Sequence, residues 1–180
     1  MNSQENSRTS LFLMELIIVI LFFALASAVC LRLFSAAYLL AEKDRNLNHA
    51  LIWSQNFSES FYGCKGRIHQ LQSQYPDAFV SVSENETDGS IVLFFDENWN
   101  QIDNSQDKAS YEAVIVIKKD TAENVYSDVN KYGVKLDGSA MTGRIAILDL
   151  RGQTETYLDF PPDDKLIIYS GNIDTYIGKE

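Results

Sequence analysis

From Leu11 to Leu31 the chain reads LFLMELIIVILFFALASAVCL, with Glu15 as its single charge and none at all from Leu16 onward. At about 1.5 Å per residue this stretch makes a helix of about 31 Å, enough to cross a hydrocarbon core of about 30 Å. The pattern predicts a membrane-inserted helix. Residues 1–10 (MNSQENSRTS) ahead of it are polar, and Arg32 closes it. Beyond Arg32 the period becomes that of a half-buried helix: Ala50, Trp53, Phe57 and Phe61 recur at spacings of three, four and four, which lines one helical face. The first Gly is Gly63 and the first Pro is Pro76. One long helix is therefore expected from about Leu11 to about Tyr62, its first half in lipid and its second laying an aromatic stripe on something folded. Gly63 and Gly66 read as its stop, and Ile68 and Leu71 as one further short turn before Tyr75-Pro76-Asp77.

After Pro76 the period changes to two. FVSVS (79–83), SIVLFF (90–95), YEAVIVIK (111–118), GRIAILDL (143–150), ETYLDF (155–160) and KLIIYS (165–170) are short, β-branched and aromatic, and Asp/Asn/Gly/Ser clusters separate them. Arg151-Gly152-Gln153-Thr154 reads as a hairpin connection, and Pro161-Pro162-Asp163-Asp164 as a turn. Five or six strands without intervening helices predict an antiparallel sheet, one face of which packs on the Trp53/Phe57/Phe61 stripe. The expected fold class is α+β, with a long N-terminal, partly transmembrane helix on a small antiparallel head. The expected organisation is 1–10, 11–31 (span), 32–75 (amphipathic extension) and 76–180 (sheet head).

Charge sharpens this division. The formal net charge is −10, and residues 46–180 hold 11 Lys+Arg against 21 Asp+Glu. An acidic head lacks the basic surface that nucleic-acid phosphates require, so no nucleic-acid partner is expected. Two cysteines exclude a disulfide scaffold. Cys30 and Cys64 stand about 50 Å apart on one continuous helix, too far for an intrachain bond.

The candidate chemistry is sparse. Asp96, Asn98, Asn100 and Asp107 space their oxygens somewhat like a calcium loop, but Gln101 stands where the loop needs Gly, and a polar connection between strands is expected. His49 and His69 lack ligand spacing, and His49 falls on the polar side of the helix. There is no G-x-S-x-G, P-loop or G-x-G-x-x-G, so no enzyme activity, metal or cofactor is expected. Glu15 is the exception. A carboxylate inside hydrocarbon costs a few kcal/mol unless paired or protonated, which marks an intramembrane acid as a functional candidate.

The polar leader, the apolar helix with a lone Glu at its fifth residue, the amphipathic extension and the antiparallel sheet together resemble a type IV pilin or pseudopilin. The matching stretch is Ser10 followed by Leu11-Phe12-Leu13-Met14-Glu15-Leu16-Ile17. Leu13, Glu15 and Leu16 fall where the family has them. Ser10 stands where it has Gly, Leu11 where it has Phe, and Phe12 where it has Thr. The resemblance implies cleavage between Ser10 and Leu11 by a membrane prepilin peptidase on the cytoplasmic side, N-methylation of the new amine, and stacking of helices into a filament. In that filament Glu15 would pair with a neighbour's terminal amine. The implied partners are other pilin or pseudopilin subunits, the peptidase and the inner or cytoplasmic membrane. The absence of Pro from the first 60 residues favours a minor pilin or pseudopilin of a pilus, competence or type II secretion-like machine.

Other readings of the segment stay open. Ala26-Ser27-Ala28 resembles a signal-peptidase site, although Glu15 interrupts the apolar region and hydrophobicity continues past Ala41. A lipoprotein anchor at Cys30 would need a small residue where Val29 stands. An uncleaved single-pass anchor carrying an extracytoplasmic binding module is the main alternative. Arg8 alone precedes the span while Arg32, Lys43 and Arg45 follow it, which by charge counting favours the opposite orientation.

Overall fold

The computed structural model describes residues 2–84, 87–103, 108–133, 136–153, 156–157, 159–161 and 164–179, with side chains from Leu11 onward except at 130 and 131. The chain forms two compact units, Met1–Arg45 and Asn46–Glu180. The described residues of the first, 2–45, are all helical. The second, the head, holds the end of that helix and all that follows.

Helix α1 runs Asn2–Cys64, through the polar leader as well as the expected span. Nothing in its first 62 residues can break it, because Gly and Pro are absent there. Its stop is built as the glycines suggest. Gly66 N donates to Phe61 O at 2.9 Å and Lys65 N to Tyr62 O at 3.2 Å, which satisfies two carbonyls that the helix end would leave open. Both residues are left-handed, Lys65 at φ 52 and Gly66 at φ 68. Gly66 has no substitute, since a Cβ there would lie 2.6 Å from Met141 Cβ. Lys65 occupies a conformation that glycine adopts without strain. Lys65→Gly is expected to stabilise the head by about 0.5–1 kcal/mol, read as a higher denaturation midpoint. An unchanged midpoint would show that the turn holds no strain. Helix α2 (Ile68–Gln74) follows and buries Ile68 and Leu71. Tyr75 then folds back on α1, its ring edge-on to Phe57 at 5.3 Å and its hydroxyl 2.9 Å from Ser60 Oγ.

The head's sheet has six strands: β1 (Phe79–Val82), β2 (Gly89–Phe95), β3 (Gln101–Ile102), β4 (Tyr111–Thr121), β5 (Ser139–Asp149) and β6 (Ile167–Gly178). Their order is β1-β2-β4-β5-β6, with β3 also on β2, and every pairing is antiparallel. β3 was not visible in the sequence. It lies beside the end of β2 that β1 does not reach, pairing Phe94 with Ile102 while β1 pairs Phe79 with Val92. A one-turn helix α3 (Ala122–Val125), capped by the Thr121 side chain, follows β4.

Alternation along the strands divides the core in two. Ile91, Leu93, Phe95, Ala113, Ile115, Ile117, Ile145 and Ile147 face the end of α1 together with Phe57, Phe61 and Leu71. Val92, Phe94, Val114, Ala146 and Leu148 face the other way and are covered by Leu150, Tyr157 and Phe160. Here the sequence reading needs correction. Residues 155–160 were expected as a strand, yet the described ones, 156, 157, 159 and 160, are irregular. Tyr157 and Phe160, three residues apart, do not share the face of a strand, yet both pack against the sheet's outer face instead of pairing at its edge. Arg144 stacks on the Phe160 ring at 3.8 Å. β5 pairs instead with β6, which runs eight residues beyond the expected end at Ser170.

Candidate functional site

Among the described residues one helix is long and apolar enough to cross a membrane, and it lies near the N-terminus. It is not a buried core helix. Phe22, Phe23 and Phe34 are 66%, 75% and 75% exposed, and none of the most apolar window is buried. Leu11 and Glu15 both lie on this helix and are exposed. Ser10 is helical in its backbone, and its side chain lies outside the described residues. Exposed apolar surface on this scale is explained by lipid or by other helices.

The second group of expected residues is brought together in the head. Ala50, Phe57 and Phe61 are fully buried, and Trp53 packs partly buried on the same cluster. The Trp53 ring meets Phe95 at 4.7 Å. Phe61 sits where two glycines leave room, since a Cβ on Gly66 or Gly143 would come within 2.9 or 3.3 Å of its Cε2. Small residues on the sheet and turn thus make a seat for one large ring on the helix.

The stripe continues one turn earlier than the apolar pattern shows. Asn46, four residues before Ala50, is buried, and its Oδ1 accepts from Trp99 Nε1 and from Tyr111 Oη, each at 3.2 Å. Trp99 lies between His49 at 5.1 Å and Tyr111 at 4.1 Å, both nearly parallel to it. Arg151 stands over the Tyr111 ring at 5.3 Å and holds Asp149 at 2.6 Å. His49 is therefore half-buried against an indole, not on a solvated face. The 3.6-residue spacing could have identified Asn46, but its polarity removed it from an apolar template. Trp99 itself is left-handed at φ 64.

The loop that presents Trp99 is folded by Asp96. Its Oδ1 accepts from Asn98 N and Asn100 N, and its Oδ2 from Asn100 Nδ2, at 2.8–2.9 Å. Those bonds, first of all the one from the Asn100 side chain, hold the Asp96 carboxyl below its ordinary pKa. The carboxylate ties a turn. Asp107, the last oxygen of the calcium-like spacing, lies outside the described residues. Among the described residues no group of three or more His, Cys, Asp or Glu side chains converges to hold a metal ion. Both cysteines are free thiols, Cys30 exposed and Cys64 buried.

One ionisable group was missed altogether. Glu112 is completely buried on the outer sheet face. Its Oε2 accepts from Tyr157 N at 3.1 Å, while Oε1 has no hydrogen-bond partner. Burial pushes its pKa up to about 7. Comparison with family models, curated protein sequences and solved structures finds no match for this chain.

Proposed function

We propose that the protein is a pilin-like membrane subunit: a single-pass protein whose N-terminal helix is cut between Ser10 and Leu11 and stacks with the helices of other subunits in a minor-pilin or pseudopilin filament. The observation that carries this reading is one unbroken helix whose stretch from Leu11 to Leu31 is apolar, largely exposed and acidic only at Glu15, and whose last turns belong to the core of an antiparallel-sheet head. Such a helix serves two solvents in succession. In the membrane its apolar surface rests against lipid, and in a filament the same surface is buried against neighbouring helices by close packing.

Glu15 gives the stack a register. In an apolar bundle an unpaired carboxylate is costly, and a terminal amine on an adjacent subunit would remove that cost through a short-range ion pair in low dielectric. The head contributes no catalysis of its own in this reading. It is carried to the extracytoplasmic side, where its acidic surface keeps it soluble.

The first test is intact mass and N-terminal sequencing of protein taken from native membranes. A start at Leu11, with one added methyl, is expected. A start at Met1 would favour the uncleaved anchor presenting an extracytoplasmic binding module. In a second test, Glu15→Ala is expected to abolish recovery of the subunit in sheared filaments while leaving the melting temperature of the head unchanged. Normal incorporation of that variant would remove the pairing role.

A further inference from the structure

The head is strongly acidic, with 21 Asp+Glu against 11 Lys+Arg in residues 46–180, yet one cavity in it is basic. A space of about 330 Å³ opens between the end of α1, α2 and the ends of three strands, and Lys65, Arg67, His69 and Lys119 line it, with no carboxylate among the described residues that line it. The four basic side chains arrive from three places in the fold. Lys65 is presented by the left-handed residue that ends α1. Arg67 and His69 come from the start of α2. Lys119 lies two residues beyond Ile117 on the helix-facing side of β4, opposite Met141 of β5. Met141 and Ile177 supply an apolar wall. Asp88 adjoins the cavity, and its Oδ1 accepts from Lys119 N at 2.9 Å and from Thr87 Oγ1 at 3.1 Å, bonds that tie the adjoining turn.

Lys65 gives a second and independent indication. Gly63 and Gly66 flank the turn, but the left-handed position that glycine would fill at least cost carries a lysine. A lysine at this position bears a conformational cost that glycine would not, while presenting its charge to the cavity. An arginine beside two lysines suits an anion with several acceptor oxygens, the guanidinium binding two of them in its planar fork and the ammonium groups acting as point charges. The apolar wall suits a ligand whose anionic group is attached to a hydrophobic body.

We propose that this cavity binds a phosphate ester, the phosphate held by Arg67, Lys65 and Lys119 and the organic body resting on Met141 and Ile177. The site owes nothing to the filament reading and would serve an uncleaved anchor equally.

The test uses the full chain in phosphatidylcholine nanodiscs, titrated calorimetrically with phenyl phosphate. Saturable one-site binding is expected, weakened about tenfold in Arg67→Gln and about three- to tenfold in Lys119→Gln, while Lys108→Gln binds as the parent does. Lys65→Gly is expected to raise the melting temperature by about 2–5 °C while lowering affinity about threefold. A loosened fold cannot produce that opposite pair of changes. Absence of saturable binding would overturn the proposal, as would equal affinity in folded Arg67→Gln and Lys119→Gln variants. A second arm repeats the titration in nanodiscs containing phosphatidylglycerol. Loss of phenyl phosphate binding there assigns a lipid headgroup as the source of the ester, and retention assigns a soluble ligand.

Discussion

Phe61→Ala is expected to destabilise the head by about 4 kcal/mol, the largest effect of any single substitution proposed here. The Phe61 ring is completely buried and seated on Gly66 and Gly143. The backbone at those glycines cannot follow a shrinking side chain, since Gly66 is locked in the turn that ends α1 and Gly143 lies mid-strand opposite Ile117 and Ile173. The substitution therefore leaves a cavity as well as losing the ring's transfer from water. Urea unfolding followed by tryptophan fluorescence measures this, because Trp53 and Trp99 both belong to the head core. Phe34→Ala is the matched control: the same deletion on an exposed ring of α1 should leave the midpoint unchanged. A loss below about 1 kcal/mol at Phe61 would show that the ring is not packed as described.

Head stability is also expected to fall by about 3 kcal/mol as pH rises from 4.5 to 7, and Glu112→Gln should abolish most of that fall. Glu112 titrates near its ordinary value of 4.5 when unfolded and at about 7 when folded. Between these values the folded state binds more protons than the unfolded state, so unfolding becomes easier as pH increases. Below 4.5 both states hold the proton and no penalty applies, and above 7 the penalty is complete. Glutamine keeps an acceptor for Tyr157 N and never ionises, so the variant should match the parent near pH 4.5 and exceed it at pH 8. Asp96 and Asp120 act in the opposite direction and at lower pH. Their folded pKa values are depressed, each chiefly by an asparagine side-chain hydrogen bond, so their contribution is present above about 3.8 and is lost as pH falls through the depressed values. Parallel pH profiles for parent and Glu112→Gln would mean that Glu112 is hydrated in the folded head.

The two core faces differ in how legible they were. α1, α2 and four of the strands follow from period alone, because a helix or strand with one apolar face can satisfy it in only one way. The packing stripe at Ala50, Trp53, Phe57 and Phe61 followed from the same spacing. The expected strand ended at Ser170, before Gly171, Asn172 and Asp174, residue types that are poor strand formers. They are instead the outward and glycine positions of an edge strand whose Ile173, Thr175 and Ile177 point inward. Residues 155–160 failed in the opposite sense. A short run of aromatic and β-branched residues reports that its side chains are covered, and it does not distinguish a strand at the sheet's edge from an irregular segment lying across its face. Nor did the sequence show that the outer face of the sheet is covered at all, since the cover comes from a connection rather than from a periodic element.

Sequence by itself determined the long apolar helix, its acid at Glu15, its stop at the glycines and the antiparallel head, because each depends on residues close together in the chain. The tertiary structure alone decided where Glu112 loses water, which donors Asn46 serves, and which of the head's few basic side chains share one cavity. Those properties belong to residues tens of positions apart, such as Asn46, Trp99 and Tyr111 or Lys65 and Lys119. Desolvation and charge proximity are set by distance in space, and only the assembled sheet and the helix packed on it bring such residues within reach of one another.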